Sequence, residues 1–407
     1  MLSWRRDLRQ EEKQPVKKCW KVVMNLYNKT ILPGSTIGII GGGQLGRMMA
    51  LAAKAQGFRI AVLEPTSDSP CGQVADVEVI GAYDDREAIS KLAAVSDVIT
   101  YEFENIDAET LRWICEQAYV PQGPELLAIT QDRIKEKAAI REAGVQVAPY
   151  EVIESMDDLV LKINTVGYPA VLKTARGGYD GKGQLVIQSQ QDLAQGESLI
   201  NHGACVLERW IPFVKEISVI VTRRLDGETA VFPVGENIHV ENILHQTIVP
   251  ARITTGLKLR AVEKAKQIAD SLGLVGTLAV EMFVTEDGTI YINELAPRPH
   301  NSGHYSIEAC ETSQFEQHIR AICNWHLGST ELLKPAVMVN LLGEHLDELF
   351  SEIPALTDWK IHLYGKKEAK IKRKMGHVTL LRDSVEEALA VVETSNIWGA
   401  VKQKIGG

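Results

Sequence analysis

The chain has 407 residues, of which 45% are hydrophobic and 24% are charged, and its formal net charge is -9 at pH 7. This length exceeds what one hydrophobic core usually organises, so we expect two or three packed subdomains. The acidic balance excludes the broad basic face of a non-specific nucleic-acid binder and favours small-molecule substrates. No apolar run approaches the ~18 to 20 residues that span a bilayer, and the widely spaced cysteines predict reduced thiols in the cytoplasm.

Residues 1–35 form a basic segment that carries no apolar stretch of the kind found in signal peptides. We expect this segment to lie outside the fold, with Met24 as an alternative start. A basic interaction arm is the competing interpretation.

Residues 36–124 show the pattern of strand, glycine turn, helix and strand that opens a parallel sheet. A helix is predicted over 47–56, and strands are predicted at 36–40, 58–63, 77–80 and 98–100 and near Tyr119. Gly41, Gly43 and Gly46 imitate a dinucleotide-binding fingerprint, and the helix N-terminus that follows them favours a phosphate. A lone match of this kind is a weak signal.

Residues 125–335 are predicted to form a larger α+β unit that includes a small lid over about 150–211. Its helices are expected at 125–143, 257–272 and 307–327. Its strands are expected at 169–173, 185–187, 205–208, 216–222, 277–285 and 289–295. Residues 336–407 would form a small C-terminal cap domain, with strands at 337–342 and 360–363 and a helix over 384–392.

The dipeptide Asp287-Gly288 between two β-runs is a strong signal for a two-residue hairpin turn. Counting outward from that turn places Glu281 opposite Glu294, on a face shared with Ala279, Phe283, Ile290 and Ile292. Two anions against an apolar layer require compensation, and a divalent cation with oxygen ligands, for which we favour Mg²⁺, supplies it. A bulge or a solvent-facing strand is the alternative, and it would leave two separate surface glutamates.

The segment from Gly177 to Gly183 contains four glycines and Lys182, so its backbone N–H groups can approach an anion closely. It lacks the spacing of a P-loop, and a flexible hairpin is the commoner interpretation of such a run. Lys173, at the end of an apolar strand, favours the phosphate interpretation.

Two further segments carry polar groups after a strand. Residues 208–211 leave a strand before Pro212, where exposed backbone groups can contact an adenine edge, although an ordinary connecting loop is the simpler interpretation. Residues 293–304 concentrate a carboxylate, a guanidinium and two imidazoles, with prolines on both sides of Arg298. This pattern predicts a stiff loop that holds an anion, with a buried structural network as the alternative.

Taken in order with Tyr101 to Asn105, Tyr364-Gly-Lys and Arg373-Lys-Met-Gly-His377, these motifs resemble the N5-carboxyaminoimidazole ribonucleotide synthetase family of ATP-grasp enzymes. The resemblance covers nearly everything from Thr36 to about Asn396. It implies an ATP-grasp fold of α/β and α+β units with an N-terminal Rossmann-like domain. It also implies a homodimer that carboxylates 5-aminoimidazole ribonucleotide with ATP and bicarbonate, through carboxyphosphate, in purine biosynthesis.

The resemblance further implies roles for individual residues. Glu281 and Glu294 would hold two Mg²⁺ ions. The residues expected to contact ATP are Arg133, Lys173, Gly178, Tyr179, Asp180, Gly181, Lys182, Gly183, Gln184, Glu208, Arg209, Trp210, Ile211, Glu216, His239, Asn293 and Glu294. The residues expected to hold bicarbonate are Arg298, His300 and Asn301, and those expected to steer the substrate amine are Tyr179 and Asp180. The residues expected to hold the ribonucleotide are Gln44, Leu45, Lys366 and Arg373, although the last two also fit a solvated basic surface.

Three other functions fit parts of the sequence. Another ATP-grasp ligase, such as a formate-dependent glycinamide ribonucleotide transformylase or a biotin carboxylase, would share most of the motifs. A nicotinamide oxidoreductase would use the turn from Gly41 to Gly46 but would leave the paired glutamates unexplained. A nucleotide-binding regulator without catalysis is the third.

Overall fold

The computed structural model describes residues 29–178 and 182–399 of the chain. Its strands form three sheets, and the loops at their edges meet around two cavities. Within the described ranges, no helix combines the length and apolar character needed to cross a membrane.

The N-terminal sheet is parallel, with strand order β3-β2-β1-β4. Its strands are β1 (Thr36–Ile40), β2 (Arg59–Glu64), β3 (Val77–Ile80) and β4 (Val98–Tyr101). Its helices are α1 (Gln44–Ala55), α2 (Arg86–Val95) and α3 (Ala108–Gln117). The prediction of a strand near Tyr119 is wrong, because Tyr119 lies in the connection after α3. Its carbonyl oxygen accepts a single hydrogen bond from Ile99 N of β4, at 2.8 Å.

Packing begins ahead of the expected boundary at Thr36. The side chain of Ile31 is 2% exposed. Ile31 N donates to Cys323 O at 3.0 Å, and Trp325 Nε1 donates to Ile31 O at 2.7 Å. The basic residues 1–28 lie outside the described ranges.

A small antiparallel sheet with order β5-β8-β6-β7 occupies the segment expected to be the lid. Its strands are β5 (Tyr150–Ile153), β6 (Ala170–Thr174), β7 (Gln184–Ile187) and β8 (Cys205–Arg209), and its helices are α6 (Met156–Val166) and α7 (Glu197–Ile200). Leu172 and Leu207 lie in the core under the helices. Because side chains alternate along a strand, the neighbouring Lys173 and Glu208 point to the other face, toward the large sheet.

The large sheet has nine strands in the order β14-β13-β9-β11-β12-β15-β17-β16, and β10 pairs with β9. The strands are β9 (Phe213–Arg223), β10 (Thr229–Val231), β11 (Gly235–Val240), β12 (Ile243–Val249), β13 (Gly276–Thr285), β14 (Ile290–Ala296), β15 (Ala336–Leu342), β16 (Lys360–Leu363) and β17 (Lys374–Leu381). Helix α8 (Thr255–Ser271) packs on β9, and helices α11 (Leu346–Glu352) and α12 (Val385–Thr394) accompany the last strands. The C-terminal strands therefore continue the same sheet through the pairing of β12 with β15.

Two predicted helices are each broken by a capping residue. The stretch 125–143 forms α4 (Glu125–Thr130) and α5 (Arg133–Glu142), because the Asp132 carboxylate accepts from Ile134 N and Lys135 N and starts a new helix. The stretch 307–327 forms α9 (Ser306–Ala309) and α10 (Gln314–Ile322), the second capped by Ser313. The single long helices predicted in both places are wrong.

The β13–β14 hairpin confirms that Glu281 pairs with Glu294, but by a different route from the one predicted. The loop has three residues, because Thr285 N donates to Thr289 O and Met282 pairs with Ile292. A bulge at Asn293 then adds one residue and restores the expected register. Ile290 and Ile292 consequently point into the core with Met282 and Val284, so the prediction that they share a face with the glutamates is wrong.

Candidate functional site

Two adjoining cavities lie where the three sheets meet. The first has a volume of about 380 Å³ and lies between the small sheet and the large sheet. The second, of about 730 Å³, lies between the large sheet and the glycine turn after β1. Both are bordered by the same wall, formed by Arg133, Glu294, His300, Asn301 and Lys374. A molecule in one cavity therefore contacts side chains that also face the other.

Helix α5 carries two cations, of which Arg133 lies in this wall. Arg133 Nη1 lies 3.2 Å from Glu294 Oε2, and Lys137 Nζ, which is 0% exposed, lies 3.0 Å from Glu208 Oε1. Lys173 Nζ from β6 approaches the other oxygen of Glu208 at 3.2 Å. Burial alone would raise the pKa of Glu208, but Lys173 and Lys137 outweigh it and lower that pKa to about 2. Glu208 is therefore an anion that holds two lysines in place.

Glu281 and Glu294 face the first cavity from neighbouring strands. Burial, followed by repulsion from Glu294, raises the pKa of Glu281. Burial would also raise the pKa of Glu294, but Arg133 and Lys173 lower it overall. The two carboxylates and the neighbouring Asn293 amide are hard oxygen donors, and a divalent cation held by Glu281 and Glu294 would offset the burial and the repulsion that raise the pKa of Glu281.

The loop after β14 carries the predicted anion-binding groups. His300 Nε2 lies 3.4 Å from Glu281 Oε1, and Arg298 Nε lies 2.8 Å from Glu104 Oε1. The side-chain amides of Asn301 and Asn340 bond reciprocally at 2.9 and 2.7 Å. Burial, with Arg298 as the next cause, lowers the pKa of His300 well below its usual range. His300 therefore faces the cavities as a neutral imidazole.

Glu216 and His239 form a second polar pair on the first cavity, with His239 Nδ1 2.9 Å from Glu216 Oε2. Burial opposes a positive charge on His239, yet its hydrogen bond to Glu216 raises its pKa overall. The pair lies on β9 and β11, across the cavity from the small sheet. It can contact polar groups of a nucleotide sugar.

The N–H groups of the glycine turn before α1 already bond to carboxyl groups that the protein itself supplies. The Glu102 carboxylate accepts hydrogen bonds from Gly43 N and Gly46 N, and burial raises its pKa. Glu64 accepts from Gly42 N at 2.8 Å and from Tyr83 at 2.5 Å. Glu102 occupies the N–H groups that would hold a phosphate, and Glu64, the acid placed to contact a ribose, is already engaged by Gly42 and Tyr83, so the geometry disfavours a nicotinamide cofactor at this turn.

The structure brings most of the predicted site residues together. Those that line the first cavity are Arg133, Lys173, Lys182, Gly183, Gln184, Glu208, Arg209, Trp210, Ile211, Glu216, His239, Glu281, Asn293, Glu294, His300 and Asn301. Those that line the second include Gln44, Leu45, Gly178 and Arg298. Tyr179, Asp180 and Gly181 lie outside the described residues.

Lys366 and Arg373 do not line either cavity within the described ranges and sit beside Lys374 instead. Lys366 Nζ donates to Lys374 O at 2.7 Å, and Arg373 Nη1 donates to Glu368 O at 3.0 Å.

Sequence reasoning missed Lys137, Lys374 and Glu104. Lys137 follows Arg133 by four residues, so both project from one face of α5, and this spacing was a usable signal. Lys374 lies inside the motif that begins at Arg373, although only the arginine was singled out. Glu104 contacts Arg298 across 194 positions, a pairing that no local pattern indicates.

Comparison with known proteins places these features in a family. The chain matches the family models described as Ribonucleotide synthetase preATP-grasp domain, ATP-grasp domain and Phosphoribosylaminoimidazole carboxylase C-terminal domain, over residues 34–131, 138–315 and 336–391. It is 55% identical over 373 residues to N5-carboxyaminoimidazole ribonucleotide synthase of Bacillus subtilis (strain 168), covering 92% of this chain and 98% of that protein. The corresponding enzyme of Staphylococcus aureus (strain MRSA252) is 47% identical over 355 residues, covering 87% of this chain and 94% of that protein.

Solved structures agree with the sequence comparison. An ADP complex of an N5-carboxyaminoimidazole ribonucleotide synthetase superposes with a TM-score of 0.90 at 60% identity and covers 92% of this chain and 99% of its own. The Aspergillus clavatus enzyme in complex with ADP and 5-aminoimidazole ribonucleotide gives a TM-score of 0.84 at 30% identity, covering 93% and 100%. The expected ATP-grasp fold is confirmed. The chain therefore belongs to the N5-carboxyaminoimidazole ribonucleotide synthase family of ATP-grasp ligases.

Proposed function

We propose that this chain uses ATP and bicarbonate to carboxylate the amine of 5-aminoimidazole ribonucleotide, giving N5-carboxyaminoimidazole ribonucleotide, ADP and phosphate. One observation carries the proposal: two cavities share a wall of Arg133, Glu294, His300, Asn301 and Lys374. Carboxyphosphate formed from ATP in the first cavity would thus release CO₂ beside an amine held in the second cavity, without crossing bulk water.

The first cavity suits ATP. Residues 208–211 would contact the adenine through their backbone, because the Glu208 carboxylate is already engaged by two lysines. Glu216 and His239 would lie at the ribose. Arg133, Lys173 and Lys182 would contact the phosphates, which are strong acceptors for such cations.

The acidic pair suits Mg²⁺, which we expect as two ions held by Glu281 and Glu294 with the Asn293 amide oxygen. When bound, Mg²⁺ would neutralise charge on the phosphates.

The chemistry would be directed by positioning and charge. A bicarbonate oxygen, held by Arg298, His300 and Asn301, would attack the γ-phosphorus while the bond to ADP breaks. The resulting carboxyphosphate would split into CO₂ and phosphate inside the closed site. The substrate amine would then bond to the carbon of CO₂ and pass a proton to the released phosphate.

The second cavity suits the ribonucleotide. Gln44 and Leu45 border it at the glycine turn, and Lys374 borders it from the C-terminal strands. Lys366 and Arg373 would reach its phosphate only after a change of side-chain conformation, since both now bond to backbone carbonyl groups. The amine-steering role of Tyr179 and Asp180 and the homodimer in the cytoplasm remain part of the proposal.

The test measures phosphate release with ATP, Mg²⁺, bicarbonate and 5-aminoimidazole ribonucleotide, each omitted in turn. We expect release to fall to background at every omission, and the carboxylated product to form only in the complete mixture. Glu294→Gln should abolish turnover. Glu286→Gln, the same change at an exposed position in the turn of the same hairpin, should not. Release stimulated by formate or biotin instead, or full activity of Glu294→Gln, would refute the proposal.

A further inference from the structure

A buried chain of four hydrogen bonds runs from β13 to the loop that carries Arg298. His318 Nδ1 lies 3.2 Å from Thr277 N, and His318 Nε2 lies 2.8 Å from Thr100 Oγ1. Thr100 Oγ1 lies 2.6 Å from Gln122 Oε1, and Gln122 Nε2 lies 3.3 Å from Pro297 O. The chain links β4, α10, β13 and the connection before α4 to a single peptide group.

Only one direction of donation satisfies this chain. The backbone N–H of Thr277 can only donate, so Nδ1 of His318 accepts and its Nε2 carries the proton. The Nε2–H group donates to the oxygen of the Thr100 hydroxyl, and that hydroxyl donates its own hydrogen to Gln122 Oε1. The side-chain NH₂ group of Gln122 donates to Pro297 O, which can only accept. Each of the four hydrogen bonds therefore joins one donor to one acceptor.

The neutral imidazole that this arrangement requires is favoured by its surroundings. His318 and Thr100 are 0% exposed and Gln122 is 8% exposed. Burial lowers the pKa of His318 to about 3, so the chain keeps its protonation state at neutral pH.

The last bond of the chain holds one side of the peptide group between Pro297 and Arg298. The other side is also held, because Arg298 N donates to Ala296 O at 2.9 Å. A peptide group is planar, so fixing its carbonyl oxygen and its N–H fixes the direction in which the backbone enters Arg298. Glu104 then holds the guanidinium at 2.8 Å.

We propose that Thr100, Gln122 and His318 are positioning residues that hold the Pro297–Arg298 peptide in the orientation that presents Arg298 to the second cavity. The consequence for catalysis rests on the function proposed above, whereas the consequence for backbone mobility does not. None of the three lines either cavity. They act through Arg298, and through it on the anion that the loop binds.

The test compares two matched substitutions. Thr100→Val removes the hydroxyl that links His318 to Gln122. Thr247→Val is the control, because Thr247 is also a strand residue with 0% exposure whose hydroxyl bonds to a side-chain amide oxygen, that of Asn237 at 3.0 Å. Thr100→Ser restores the hydroxyl, and Gln122→Met removes the final donor while keeping the side chain's length.

We expect amide hydrogen exchange in the 298–304 segment to accelerate about three- to tenfold in Thr100→Val and Gln122→Met, the factor that one net hydrogen bond represents. Thr247→Val and Thr100→Ser should leave it unchanged. In the turnover assay, Thr100→Val and Gln122→Met should raise the KM for bicarbonate, while the KM for ATP stays constant.

Equal exchange in Thr100→Val and Thr247→Val would overturn the positioning role, whatever the activity. If exchange is faster in Thr100→Val and Gln122→Met but the wild-type protein shows no bicarbonate-dependent turnover, the positioning role is supported and the proposed function is refuted.

Discussion

Replacing Glu208 by Gln tests whether its buried carboxylate holds Lys137 and Lys173 by charge. The carboxyl group has a pKa of about 2 in the folded protein against an ordinary 4.5. At about 1.4 kcal/mol for each tenfold change in acidity, this difference corresponds to about 3 kcal/mol of folding free energy. That value agrees with the roughly 3 to 5 kcal/mol that is lost when one partner of a buried ion pair is removed.

The pH dependence follows from the lowered pKa. A carboxyl group with a lowered folded-state pKa stabilises the fold above its unfolded value, and the contribution is lost as the pH falls through the folded value. The free energy of unfolding of Glu208→Gln should therefore be about 3 kcal/mol below that of the wild type at pH 7, with a gap that narrows only below about pH 4.5.

Urea unfolding at a series of pH values measures this gap. Glu87→Gln is the control, because it makes the same change in an exposed pair with Lys91 and should have no measurable effect. The reasoning would be refuted if the free energy of unfolding of Glu208→Gln lay within ~1 kcal/mol of the wild-type value at pH 7, which is the most that an exposed ion pair contributes. It would also be refuted if the difference did not narrow in acid.

Two other substitutions probe the wall and its support. Lys374→Met keeps the length of the side chain that borders both cavities but removes its charge, so turnover should fall by on the order of 10² to 10³ while ADP binding, measured by calorimetry, persists; unchanged turnover would contradict a role at the wall. Asp132→Ala removes the cap of α5, the helix that carries Arg133 and Lys137. The free energy of unfolding, measured by thermal unfolding, should fall by about 1 kcal/mol, whereas Asp132→Asn should keep most of the stability that the cap contributes.

The fold was largely accessible from the sequence where a periodic pattern continues without interruption. Strands β1, β2 and β4 and helix α1 follow apolar runs separated by glycine, and they form close to the predicted positions. Breaks inside helical patterns were not accessible. Asp132 and Ser313 read as ordinary helix residues until their side chains are seen to cap the helices that follow them.

The glutamate pair shows why site geometry is harder to derive than site composition. Glu281 and Glu294 were correctly paired, but the three-residue turn and the bulge at Asn293 offset each other, and neither is visible in the alternation of residues. The offset reversed the predicted facing of Ile290 and Ile292. Side-chain direction in a strand depends on every residue between it and the turn, so one unseen insertion changes it.

The pairing of β12 with β15 has a practical consequence for anyone who shortens this protein. Ending the chain before Ala336 would leave Gln246, Thr247, Ile248 and Val249 of β12 without their hydrogen-bonding neighbour. It would also expose Ile248, which now packs against Val337 and Val339. An unpaired apolar edge strand of this kind pairs with strands of other molecules, so such a truncation should yield aggregates in place of a smaller working enzyme.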